Sequence, residues 1–191
     1  MPKNPERRFV ILDRDGTIIE EREYLSEPEQ VMLIPGVGAA LRELKKMGLG
    51  LVVITNQSGV GRGFFDQLQL ERVHERLRKL LEKERVHLDG VYVCPHKPED
   101  DCDCRKPKLG LFEKAAKDLG FSLEGSIVIG DKASDMEMGR IAGATTFLVR
   151  TGYGSQNEKP AVADFVIDDL AAAAESIRSL VKTRCNTTRP S

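Results

Sequence analysis

The residues of greatest chemical promise are Asp13-Arg14-Asp15-Gly16-Thr17, directly after the apolar run Phe9-Val10-Ile11-Leu12. Side chains i and i+2 of a strand share a face, so a strand here would turn Asp13 and Asp15 into one pocket and Arg14 away. Gly16 permits a sharp turn afterwards. Two carboxylates held close repel each other, and a cation relieves the repulsion. Taken alone, the pair reads equally well as a strand followed by an acidic turn. Three more segments add reactive groups: Thr55 in Thr55-Asn56-Gln57-Ser58-Gly59, Lys106 in Arg105-Lys106-Pro107, and Asp131 and Asp135 in Gly130-Asp131-Lys132-Ala133-Ser134-Asp135. Each also has a bland reading by itself. Thr55 could bond its own strand-end backbone, and Lys106 could be a solvated lysine.

These segments contain no histidine and no serine–histidine pairing, so acyl transfer is poorly supported. Carboxylates without nitrogen ligands favour a hard, oxygen-loving cation, magnesium. A carboxylate beside magnesium and lysine can attack phosphorus and become an aspartyl phosphate. A second acid can protonate the leaving alcohol, then deprotonate the water that frees the enzyme. Thr55, Lys106 and nearby backbone N–H groups would hold the phosphoryl oxygens. A second cluster, Cys94-x-His96-x5-Cys102-x-Cys104, offers a tetrahedral set for zinc with no position left for water. Such a site is structural. Because the cluster ends directly at Arg105-Lys106, zinc there would clamp the loop that presents Lys106. Reduced thiols or a redox pair are the alternatives. His74 and His87 are expected on a helix face and in a loop, Arg62 as a solvated charge, and Cys185 as a free tail thiol.

Positioning these groups requires a particular frame. Residues 49–55 are a near-continuous apolar run, suited to a parallel strand buried on both faces. Shorter runs at 90–93, 126–129, 146–149 and 165–167 read as further strands. Apolar spacing predicts helices between Gly36 and Gly48, from an Asp66 N-cap through Leu81, over about 109–119 with Gly120 as the stop, over about 134–142, and from near Asp169 onward. Residues 18–35 and 56–63 read as polar loops, and 1–7 as a frayed lead-in. The alternation predicts an α/β, three-layer, Rossmann-like open parallel sheet with helices on both faces. One domain would span residues 1–181, followed by a disordered tail, 182–191. Right-handed crossovers gather the strands' C-terminal ends at one edge, where such sheets bind ligands. Asp13, Asp15, Thr55, Asn56 and Asp131 all fall on that edge.

With these motifs in place, the chain resembles the haloacid dehalogenase superfamily of phosphatases. The matching residues are Asp13-x-Asp15-Gly16-Thr17, Thr55, Lys106 and Gly130-Asp131-x-x-x-Asp135. The resemblance implies that Asp13 is the nucleophile and Asp15 the general acid/base. It implies magnesium on Asp13, the Asp15 carbonyl and Asp131, with Asp135 orienting Lys106 or a metal-bound water. Within that superfamily, Leu-Asp-Arg-Asp-Gly-Thr, Thr-Asn-Gln-Ser-Gly, Cys-Pro-His, Cys-x-Cys-Arg-Lys-Pro and Gly-Asp-Lys resemble the heptose 1,7-bisphosphate 7-phosphatases. The histidinol-phosphate phosphatases are close relatives, but their pattern carries an acid where this chain has Ser58. The heptose reading implies substrate contacts from Glu21, Arg22, Glu23, Tyr24, Thr55, Asn56, Gln57, Ser58, Arg105, Lys106 and Lys132. It also implies a product, heptose 1-phosphate, bound for nucleotide activation and surface polysaccharide. The intervals 17–36 and 59–106 leave no room for a large cap domain, so short loops must select the substrate.

Bulk composition agrees. Lys and Arg number 29 against 30 Asp and Glu, and this balance speaks against a non-specific nucleic-acid binder and a polynucleotide 3′-phosphatase. Residues 1–6 carry no apolar core of a secretory leader, and no apolar run reaches membrane-spanning length. A monomeric cytoplasmic enzyme acting on a small sugar bisphosphate is the expectation. A phospho-accepting receiver domain is the non-enzyme alternative, and Asp15 weighs against it because an acid/base there would hasten hydrolysis. A zinc-built interaction module would leave the rim acids without a role.

Overall fold

The apolar runs become parallel strands: β1 (Phe9–Leu12), β2 (Gly50–Asn56), β3 (Gly90–Cys94), β4 (Ile127–Gly130), β5 (Thr145–Val149) and β6 (Phe165–Ile167). A computed structural model, describing residues 7–159 and 162–187, places them in one six-stranded sheet ordered β3-β2-β1-β4-β5-β6. All five pairings are parallel. Alternate side chains feed two cores. Val10, Leu12, Leu51, Val53, Ile127 and Ile129 face one, and Phe9, Ile11, Val52, Ile54 and Val128 face the other. Helices α1 (Val37–Lys46), α3 (Gln67–Lys83) and α7 (Leu170–Thr187) cover the first core; α4 (Gly110–Leu119) and α5 (Ala133–Ile141) cover the second. Each side chain fully buried between these layers contributes roughly 1.5–3 kcal/mol.

β1 lies between β2 and β4, so the winding reverses around it. The crevice opens there, above the strands' C-terminal ends. Helix α3 starts where Asp66 caps it: Asp66 accepts from the Gln69 N–H at 2.7 Å, and Gln69 accepts from the Asp66 N–H at 3.1 Å. Gly120, in the left-handed region, ends α4.

Several expectations need correction. The segment after β1 does cover the strand's end, but it is not simply polar. Ile18, Ile19, Leu25 and Val31 are buried in the first core, and Ile19 forms bridges to Asp15 and Leu33. Short helices α2 (Ser58–Gly61) and α6 (Gly154–Asn157), with 3-10 turns at Pro28–Gln30 and Pro98–Asp100, were not anticipated. One turn is too short to display a 3.6-residue period. Helix α7 is described to Thr187. Cys185 falls among side chains outside the described residues, as do residues 188–191. The lead-in is described only from Arg7, which pairs with Asp89 at 2.9 Å.

Candidate active site

β1, β2 and β4 end at the crevice and deliver Asp13, Thr55 and Asp131, each at most 5% exposed. Lys106 enters from the loop after β3. Its Nζ donates to Asp13 Oδ1 at 2.8 Å and to the Ile54 carbonyl at 2.7 Å, and stands 2.6 Å from Asp135 Oδ1. The other Asp135 oxygen accepts from the Lys132 N–H at 3.1 Å. Asp135 is thereby committed to holding Lys106 and capping α5. Burial works to raise the Asp13 carboxyl, but the Lys106 and Lys132 ammonium groups outweigh it and leave Asp13 below the ordinary carboxylate range. Asp13 is thus the member of the cluster held in the charged form.

Asp131 meets the opposite environment. Burial, then the charge of Asp13, lifts it to about 8. Its Oδ2 accepts from the Tyr153 N–H at 2.8 Å, while Oδ1 is buried with no hydrogen-bond partner. Asp13, Asp131 and Asp135 each bring a carboxylate oxygen within 4.8 Å of the others'. An orphan oxygen among crowded carboxylates suits a hard cation, so the donor set fits magnesium. Backbone packs against Asp131 closely enough to require glycine. A Cβ on Gly16 or Gly152 would lie 2.2 or 2.3 Å from Asp131 Oδ2, and both positions have positive φ.

Asp15 lines the cavity as expected, but Arg14 does not turn away. The strand ends at Leu12 and the chain coils, with the Ile18 and Ile19 N–H groups both donating to the Arg14 carbonyl. This brings the Arg14 guanidinium onto Asp15: Nε and Nη2 donate to its two oxygens, each at 3.0 Å. Gln57 Nε2 donates to Asp15 Oδ2 and to Thr55 Oγ1, both at 2.8 Å. Because the Thr55 oxygen is used as an acceptor, its own proton is free to donate into the site. Asn56 clasps the Lys106 backbone in both directions, at 3.1 and 3.3 Å.

The crevice holds a cavity of about 360 Å³. Every substrate-contact residue expected by resemblance lines it except Thr55, which is buried and bonded to the lining residue Gln57. Two of these residues are pinned: Lys132 to Glu21 at 2.9 Å, and Arg105 to the His96 carbonyl at 3.2 Å. Burial raises Glu21 and opposes ionisation of Lys132, whose acidic neighbours nevertheless hold it well above its usual value. Sequence reasoning missed Tyr153, which also lines the cavity with its ring under Lys132 Nζ at 5.1 Å. The available signal was the Gly152-Tyr153-Gly154 string after β5. It also missed His74, expected on a helix face but buried against Arg14.

Cys94, His96, Cys102 and Cys104 converge beside this loop, their ligand atoms all within 4.8 Å of one another. The Cys104 sulfur lies 3.1 Å from Cys94 and 3.3 Å from Cys102, and Cys94 lies 3.5 Å from Cys102. These spacings are too long for a disulfide and close to the edge, about 3.8 Å, of a tetrahedron built on zinc–sulfur bonds. Burial and the hydrogen bond with Cys104 lift the Cys94 thiol far above its usual range. A bound divalent cation would reverse that.

Known proteins carry the same frame. The HAD-hydrolase-like family model matches residues 103–173. The D-glycero-beta-D-manno-heptose-1,7-bisphosphate 7-phosphatase of Haemophilus influenzae is 41% identical over 182 residues, covering 92% of this chain and 99% of that protein. The enzyme of the same name from Photorhabdus laumondii is 40% identical, covering 91% and 96%. The crystal structure of D,D-heptose 1,7-bisphosphate phosphatase from B. bronchiseptica, complexed with magnesium and phosphate, superposes with a TM-score of 0.84 at 32% identity, covering 91% of this chain and 99% of that one. Identity of this extent over nearly the whole of both chains makes the protein a member of the haloacid dehalogenase-like hydrolases.

Proposed function

We propose that this protein is a magnesium-dependent phosphatase that removes the 7-phosphate of D-glycero-D-manno-heptose 1,7-bisphosphate and releases heptose 1-phosphate. The observation that carries the chemistry is the pairing of ionised Asp13 with Lys106, beside an Asp131 oxygen that has no protein partner. The relatives' shared name supplies the substrate. Asp13 attacks phosphorus and takes the phosphoryl group as an acyl phosphate, while the sugar oxygen leaves with a proton from Asp15. Asp15 then takes a proton from the water that attacks phosphorus, and Asp13 is freed. Lys106 and the Thr55 hydroxyl hold the phosphoryl oxygens as charge spreads over them. Magnesium held by Asp13, the Asp15 carbonyl and Asp131 would neutralise that charge.

Zinc on Cys94, His96, Cys102 and Cys104 would fix the loop and through it Lys106, taking no part in the reaction. Glu21, Arg22, Glu23, Tyr24, Asn56, Gln57, Ser58, Arg105 and Lys132 would surround the sugar and its second phosphate. A monomer working in the cytoplasm completes the proposal, and the free thiols of Cys94, Cys102 and Cys104 suit a reducing compartment. The test is phosphate release from heptose 1,7-bisphosphate, histidinol phosphate and a 3′-phosphorylated oligonucleotide, with and without magnesium. Turnover of the heptose substrate alone, dependent on magnesium and lost in Asp13→Asn, is expected. Preference for histidinol phosphate would reassign the substrate. Removing zinc with a chelator, then restoring magnesium, should leave a folded enzyme of reduced kcat; full activity in verified zinc-free protein would dismiss the clamp.

A further inference from the structure

Arg14 is fully buried, yet no step of the reaction uses its charge. A buried guanidinium must place its donors on partners. Two of its nitrogens grip Asp15, and the third, Nη1, meets His74 Nε2 at 3.0 Å. His74 belongs to α3 and is 2% exposed. Arginine only donates, so His74 Nε2 must accept, and the ring must be neutral with its proton on Nδ1. Burial, followed by the charges of Arg14 and Arg78, holds the imidazole down to about 3, in agreement with that form. Nδ1 lies 3.9 Å from Glu71 Oε2, so its side of the ring faces an acceptor group.

We propose that His74 is a positioning residue: by accepting from Arg14 it fixes the guanidinium plane, and that plane aims the Asp15 carboxylate at the substrate oxygen. Two parallel bonds set the orientation of Asp15 relative to Arg14. Among the described residues, the Arg14 guanidinium has one hydrogen-bonded partner besides Asp15, and it is His74 of α3. Gln57 steadies Asp15 from the other side through Oδ2. The inference rests on the reading of Asp15 as the acid/base, and the experiment separates the two.

His74→Leu keeps an apolar side chain of similar bulk but offers no acceptor; His74→Gln restores one through its amide oxygen. With heptose 1,7-bisphosphate, His74→Leu should lower kcat on the order of tenfold, the scale of one lost hydrogen bond to a charged group, with KM little changed. His74→Gln should recover most of that loss. Wild-type kcat in His74→Leu, or equal losses in both variants, would overturn the proposal. Asp15→Asn serves as the control: if its folded form loses about 10²–10⁴ in kcat while His74→Leu keeps the wild-type kcat, the tether alone is wrong, and if it keeps near-wild-type kcat, the acid/base reading itself fails. A measurement on the unmutated protein needs no variant to fold. Nitrogen-15 NMR at neutral pH should find His74 with an unprotonated Nε2 and a proton on Nδ1. A proton on Nε2 would contradict the tether directly.

Discussion

Lys106 brings one ammonium within 2.8 Å of Asp13 and 2.6 Å of Asp135 in a site where all three side chains are nearly dry. Removing one partner of a buried charge cluster strands the others, so Lys106→Met should destabilise the fold by about 3–5 kcal/mol as well as stop turnover. Adding Asp135→Asn should restore most of the stability and none of the activity, measured by urea unfolding and phosphate release. Asp15 pairs with the buried Arg14 in the same way, so Asp15→Asn leaves that guanidinium without its counterion and turns an amide donor towards it. The variant should be destabilised by about 3–5 kcal/mol, read by urea unfolding, and its folded fraction should lose about 10²–10⁴ in kcat, the usual share of general acid–base catalysis. These residues were legible in the sequence because carboxylates, lysine and cysteines each stood at an informative spacing within a short segment. His74 was not, because its partner lies 60 residues away and only tertiary packing joins them.

Helix α3 illustrates the limit at the scale of an element. Its apolar face, Leu70, Val73, Leu77 and Leu81, is readable as a helical stripe, and Asp66 marks its start. His74 stands on the same buried face, four residues after Leu70, but the period of the stripe says nothing about which polar partner a buried imidazole meets. The segment over β1 defeated the pattern for a related reason: its buried residues are spaced by a bridge, not by a regular period. Burying His74 has a consequence for stability. Its pKa falls from the ordinary value near 6.5 to about 3 on folding, so between these values the unfolded chain binds a proton that the folded chain refuses. Stability from this source is intact above pH 6.5 and is lost as pH falls, by up to about 1.4 kcal/mol per unit. Relative to His74→Gln, the unmutated protein should lose about 2 kcal/mol between pH 7 and pH 5 in urea unfolding. A constant difference would show that α3 accepts the imidazolium.

At the scale of the whole molecule, the sheet order places β1 at the reversal and so crowds Asp13, Asp131 and Asp135 into one dry space. Alternating strands and helices made the layers and the functional edge legible, while the depth of this crowding depends on Gly16 and Gly152 packing against Asp131. Asp131, lifted to about 8 by burial and the charge of Asp13, keeps its proton at neutral pH, and its buried Oδ1 has no hydrogen-bond partner. A divalent cation would displace that proton and bind the folded chain alone, so magnesium should act as a stabiliser as well as a cofactor. At 100 times its dissociation constant it would add about 2.7 kcal/mol, a rise of about 5–10 °C in Tm for a chain of this size. Asp131→Asn replaces the carboxylate that would face the cation with an amide that cannot ionise. That variant should melt no lower than the metal-free parent, and its Tm should hardly respond to magnesium. A full magnesium-induced rise in Asp131→Asn would move the cation away from Asp131 and leave the crowded carboxylates without the role given to them.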